Sequence, residues 1–168
     1  MDVRYINPFV KSVRNTVQTM CNLPVTVGKP ELKVGNDPLA DVSGVIGFSG
    51  DAAGSVVLHF SNETASRVAT AFAGTQITPQ HPDFADAIGE LTNMVAGGAK
   101  SQFEGLQISI SLPNVIVGPR HNVQACKSSP RIVIPCHIDT DVFYLEVGMV
   151  LEKRANVEAA TLTAGATA

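Results

Sequence analysis

The sequence contains no tryptophan and only two tyrosines beside seven phenylalanines, so stacking platforms for sugars or bases are poorly supplied. Basic residues are scarce as well. Twelve Lys and Arg stand against fifteen Asp and Glu, a formal net charge of −3, and an acidic chain has no electrostatic footprint for nucleic acid. No apolar run approaches the ~18 residues that span a bilayer as a helix, so neither nucleic acid nor membrane is expected as a partner. The cysteines, Cys21, Cys126 and Cys136, are odd in number and far apart, with no Cys-x-x-Cys pair. The opening residues do not read as a secretory leader, and reduced thiols in a cytoplasm are expected.

What remains is aliphatic. With 45% hydrophobic and 16% charged residues in 168, the chain has material for one compact domain, expected over residues 1–153. The Ala, Thr and Gly of Ala155–Ala168 read as a flexible tail, taken from residue 154.

Apolar residues at Ile6, Phe9, Val10, Val13, Val17 and Met20 recur at three and four, which predicts an amphipathic helix over Asp2–Met20 with Asn7 and Pro8 near its start. Strands are expected at Val25–Val34, Val42–Phe48 and Ser55–Phe60, divided by turn residues. A short helix capped by Ser61 or Asn62 should run to Ala73. The longest helical pattern spans Pro82–Phe103, with Phe84, Ile88, Leu91 and Val95 on one stripe. Strands follow at Leu106–Leu112 with Val115–Val117, at Arg131–Ile138 and at Val142–Leu151, with Gly118–Pro130 as a polar loop. The order is a helix-plus-three-strand unit, approximately doubled. It predicts an α/β fold in the α+β sense: a six-stranded, mostly antiparallel sheet with two long helices packed on one face.

Familiar catalytic templates return little. His59, His81, His121 and His137 fall in different elements, which gives no metal-ligand spacing, and no metal is expected. Adjacent Cys136 and His137 should point to opposite faces of a strand. Asp139 and Asp141 read as a turn. Gly44, Gly47 and Gly50 precede no Lys-Ser/Thr, so they fit strand and turn better than a phosphate loop. No Gly-x-Ser-x-Gly elbow supports a serine nucleophile.

One constellation stands apart. Asp86, Glu90 and Asn93 are spaced by four and three, so they share one face of the long helix, away from its apolar stripe. By itself such a face is what any amphipathic helix turns to water. Gly97 and Gly98 follow one turn later, each costing about 1 kcal/mol relative to Ala in a helix, a cost that close approach of another surface could offset.

The segment Asp86–Lys100 resembles the Asp/Ser-x-x-x-Glu-x-x-Asn signature of the CheC/CheX/FliY family of chemotaxis phosphatases, with the family's later proline at Pro113. The Ile6, Asn7, Pro8 and Phe9 opening and the doubled pattern look most like the CheX branch, over roughly residues 1–153. The resemblance implies hydrolysis of the aspartyl phosphate on a CheY-like response regulator in a two-component pathway, and a homodimer. It implies catalytic roles for Glu90 and Asn93, with Asp86, Gly89 and Gly97 meeting the partner. The Mg²⁺ of such a reaction would belong to the response regulator, and this chain would bind no cofactor. A non-catalytic domain that docks a receiver is the alternative. Lys11 and Arg14 occupy the first helix where a second Glu-x-x-Asn could sit, and the short helix offers only Glu63-x-x-Ser66, so one active site per chain is expected.

Overall fold

A computed structural model describes residues 3–35, 40–124 and 130–152; the expected tail and Cys126 lie outside them. The elements run α1 (Val3–Cys21), β1 (Thr26–Val27), β2 (Glu31–Leu32), β3 (Ala40–Gly50), β4 (Ala52–Phe60), α2 (Asn62–Ala73), α3 (Phe84–Lys100), β5 (Ile108–Ile110), β6 (Asn114–His121), β7 (Arg131–Ile138) and β8 (Asp141–Leu151). Every strand pair is antiparallel. The sheet order is β1-β7-β8-β4-β3-β5, with β2 also on β7 and β6 also on β3.

The expected α+β architecture is present, and its strand count rises from six to eight by two subdivisions. The Val25–Val34 segment forms two short strands, both paired with β7, because the Gly28-Lys29-Pro30 break interrupts the ladder. The Leu106–Val117 segment divides at Leu112-Pro113 into β5 and β6, which pair with opposite ends of β3. Strand β6 then continues through His121, so the first residues of the expected Gly118–Pro130 loop are strand. Helix α1 begins at Val3, which places Pro8 inside it and not at its start. Helix α3 is shorter than its pattern: it starts at Phe84 after an Asp83 that makes no side-chain cap, and it ends at Lys100 in a turn over Ser101–Gln102.

Helix α2 follows its sequence signals closely. Ser61 is the N-cap and accepts a hydrogen bond from the Thr64 N–H, while Gly74 closes the helix at φ 70°, a left-handed conformation that suits glycine. The Asp139 and Asp141 turn is tied to this helix by Arg67, which pairs with both carboxylates.

All three helices lie on one face of the sheet. Alternate residues of the central strands, Val42 and Ile46 of β3, Leu58 and Phe60 of β4, and Phe143 and Leu145 of β8, form one cluster with Phe9 and Val13 of α1 and with Ile88, Leu91 and Val95 of α3. Cys136 is wholly buried in that cluster while His137 on the same strand is exposed, as period-two alternation requires.

The opposite face is closed by a polar cluster that spacing in the sequence does not reveal. Glu146 of β8 is 1% exposed. Its Oε2 accepts from Lys33 Nζ at 2.8 Å and lies 3.0 Å from His59 Nε2. Arg131 Nη1 stands 3.0 Å from Oε1, near enough for charge but without hydrogen-bond alignment. Burial works against the charge on Glu146, and the bonds from His59 and Lys33 outweigh it, holding the carboxyl below its ordinary range.

The close seat of α3 on the sheet depends on Gly44. A Cβ there would stand 2.0 Å from Thr92 Oγ1, in a position where the Thr92 hydroxyl already donates to Ile88 O. Gly44→Val should lower unfolding stability by about 1–3 kcal/mol, the range for overpacked cores. Urea titration should show part of that loss recovered in the Gly44→Val/Thr92→Ala double variant; full additivity would contradict the contact.

Candidate functional site on helix α3

The helix divides cleanly by face. Phe84, Ile88, Leu91, Thr92, Val95 and Ala99 are buried, Asp86 and Glu90 are exposed, and Asn93 and Gly97 are half-buried. At 1.5 Å rise per residue, Glu90 and Asn93 stand about 4.5 Å apart along the axis and about 60° short of a full turn. They therefore project side by side. Among the described residues no hydrogen bond or ion pair engages the side chain of Asp86, Glu90 or Asn93, so these polar groups remain free to meet an incoming molecule.

The backbone beneath them is fixed from two sides. Ser12 Oγ of α1 donates to Val95 O at 2.7 Å, and a Cβ on Gly98 would stand 2.4 Å from Ser12 Oγ. Thr92 meets Gly44 on the sheet side. The two adjacent glycines thus have different duties. Gly98 admits α1, whereas a Cβ on Gly97 would meet nothing within 4 Å, so Gly97 leaves the outer surface slim on the Asn93 side.

Gly89 sits in packing, not on the open surface. It is buried, with Pro113 and Val115 within 3.4–3.6 Å of where its Cβ would be. That contact brings the turn before β6 against the helix. The result is a shallow cleft walled by Ala85, Asp86, Gly89, Glu90, Pro113 and Val115. Pro113, distant in sequence, is therefore part of the same surface as Glu90, and Val115 is a wall of it that the sequence pattern does not single out. Gly47, Gly44 and Gly50 lie in β3 or at its end, which agrees with strand and turn roles. Burial pushes the Cys136 thiol up to about 12, which favours the neutral thiol over the thiolate. No group of His, Cys, Asp or Glu fit to hold a metal occurs among the described residues.

Residues 42–137, more than half of the chain, match the family described as chemotaxis phosphatase CheX. The chain belongs to the CheX family. It is 34% identical over 121 residues to the CheY-P phosphatase CheX of Thermotoga maritima, covering 70% of this chain and 78% of that protein. Among solved structures, a chemotaxis protein CheX from Desulfovibrio desulfuricans superposes with a TM-score of 0.80 at 33% identity, covering 88% of this chain and 99% of that one. The CheX of the CheX-CheY-BeF3-Mg complex from Borrelia burgdorferi shares the fold, with a TM-score of 0.74 at 22% identity over 86% of this chain and 97% of that one. No helix among the described residues is long and apolar enough to cross a membrane.

In this CheX-family chain the two glycines should separate by stability alone. Gly97→Ala should raise unfolding free energy by about 0.5–1 kcal/mol through helix propensity. Gly98→Leu should lower it by about 1–3 kcal/mol by displacing Ser12. Equal effects in thermal or urea unfolding would contradict the division of labour.

Proposed function

We propose that this protein accelerates hydrolysis of the aspartyl phosphate on a CheY-like response regulator. The observation that carries the reading is the pair of unengaged polar side chains, Glu90 and Asn93, on a helix fixed by Ser12 and Thr92. The Thermotoga maritima relative is a CheY-P phosphatase, which supplies the substrate class.

The chemistry follows from the residue types. An aspartyl phosphate is an activated acyl phosphate, so its hydrolysis calls for an oriented water more than for covalent help. The Asn93 carboxamide oxygen accepts a hydrogen bond from that water, and its nitrogen donates a second bond that fixes direction. The water oxygen bonds to phosphorus as the bond from phosphorus to the aspartyl oxygen breaks, giving inorganic phosphate and the free aspartate. Glu90 anchors the active-site lysine of the receiver by a charge-assisted hydrogen bond and sets the register of docking. Asp86 extends the acidic contact along the same face. Mg²⁺, where the reaction uses it, resides in the receiver's own acidic pocket.

The slim surface at Gly97 admits the receiver beside Asn93. The Gly89 to Pro113 contact holds the cleft wall and so serves docking from beneath. A homodimer also belongs to this reading. Strand β6 pairs only with β3 among the described residues, and Ile116 and Val117 on it are 39% and 49% exposed, an apolar edge suited to a second copy. The place of action is the cytoplasm, where a phosphorylated receiver is found.

The experiment is the decay of a phosphorylated CheY-like receiver in Mg²⁺, with and without the protein. Asn93→Ala should cut the acceleration on the order of 10²-fold, the scale for a misplaced reacting group, while receiver binding is largely kept. Gly97→Leu should weaken binding and leave the unfolding transition of the protein in place. Acceleration that survives Asn93→Ala would sink the mechanism, and binding without any acceleration would make the α3 face a docking surface only.

A further inference from the structure

A buried chain of hydrogen bonds crosses the face of the sheet away from α3. His121 Nδ1 lies 2.8 Å from Gly118 O, and His121 Nε2 lies 2.7 Å from Ser43 Oγ. Ser43 Oγ is 2.9 Å from His59 Nδ1, and His59 Nε2 is 3.0 Å from Glu146 Oε2. Ser43 and His59 are wholly buried, while His121 at the outer end is partly exposed.

The hydrogens in this chain can be counted. Both ends, a backbone carbonyl and a carboxylate, are acceptors only. Four links therefore need four hydrogens. Two neutral imidazoles and one hydroxyl supply three. From this shortfall we infer that the His121, Ser43, His59 and Glu146 chain is a proton-binding site, holding one proton beyond its neutral complement and using it to latch the end of β6 to the sheet.

The surroundings decide which ring holds that proton. Lys33 and Arg131 already bring two positive charges to Glu146 at the inner end. Burial, with Lys33 and His121 adding to it against the pull of Glu146, disfavours a charged His59. The extra proton therefore sits on His121. Its Nδ1–H donates to Gly118 O and its Nε2–H to Ser43 Oγ. The Ser43 hydroxyl donates to His59 Nδ1, and His59 Nε2–H donates to Glu146. Around the chain, Tyr144 of β8 stands across the ladder from His59, and Asp41 of β3 lies at the outer end, accepting from the Arg120 N–H. No other carboxylate bonds directly to His59 or His121 among the described residues.

Loss of the proton leaves two ring nitrogens, on His121 and His59, sharing the single Ser43 hydrogen. One buried acceptor then goes unsatisfied. The segment that loses its hold is the end of β6 at Gly118–His121, with Asn122 and Val123 after it, which reach Lys33 and Arg131. The latch therefore holds while the chain keeps its fourth hydrogen and loosens where that hydrogen is lost.

The test is nitrogen-detected NMR of the histidine rings across neutral to alkaline pH, with amide hydrogen exchange of residues 118–123 corrected for intrinsic rates. At the acidic end His121 should show two N–H groups and His59 a single N–H at Nε2. On raising the pH His121 should lose one N–H, and exchange in the segment should rise about tenfold, the effect of one unsatisfied buried group. In His121→Gln, which keeps a side-chain donor and cannot titrate, the pH dependence of that exchange should disappear. A second N–H on His59 with a neutral His121 would overturn the assignment. Both rings neutral in the folded protein throughout would overturn the proton-binding site itself, and this readout needs only the unmodified protein.

Discussion

Helix α3 lies where only small groups permit it to lie. On one side Ser12 reaches into it at Val95 and Gly98, and on the other Thr92 occupies the space that a side chain on Gly44 would need. These close approaches set the height of the helix above the sheet and its rotation about its own axis. Rotation is the more consequential of the two. A helix turned by one residue, about 100°, would carry Glu90 and Asn93 from solvent toward the cleft wall or the core. The polar face exists as a surface because the apolar face and its glycines leave the helix a single seat.

The same constraint separates what could be read in the sequence from what could not. Periodicity identified the stripe of Phe84, Ile88, Leu91 and Val95, and all four are buried. Ser61 marks the start of α2 by local chemistry that needs no tertiary partner. The Glu90 and Asn93 face was legible for the same reason, since spacing on one helix is a local property. The partners of that helix were not. Ser12 and Val95 are 83 positions apart, and nothing in either neighbourhood announces the other. Gly97 and Gly98 looked alike in the sequence; only the position of α1 gives one a packing role and leaves the other open.

Strand divisions failed to show for a related reason. Val25–Val34 reads as one β-rich run, yet its ends meet β7 as two separate pairs, because pairing is decided by the partner strand as much as by the run itself. The polar cluster is the extreme case. Lys33, Ser43, His59, His121, Arg131 and Glu146 come from six places in the chain and are brought together only by sheet order β7-β8-β4-β3-β6. Each alone is an ordinary strand or loop residue. Together they place two cations, a carboxylate and two imidazoles in a largely buried cluster, where every hydrogen must be accounted for.

Strand β6 connects these two regions and keeps them distinct. Its leading turn, at Pro113, packs under the α3 face, and its last residue, His121, enters the buried chain on the other side of the sheet. The groups offered by α3 are a carboxylate and an amide, and the amide on which the proposed reaction turns does not titrate in the range proteins experience. The imidazoles lie out of reach of that helix, beyond the sheet. Chemistry that orients a water through a neutral carboxamide needs geometry and no tuned proton affinity, so the rigid seat of α3 is sufficient for it. The buried His121, Ser43, His59 and Glu146 chain lies on the other face, where its proton acts on how the β6 edge is held and not on the carboxamide of Asn93.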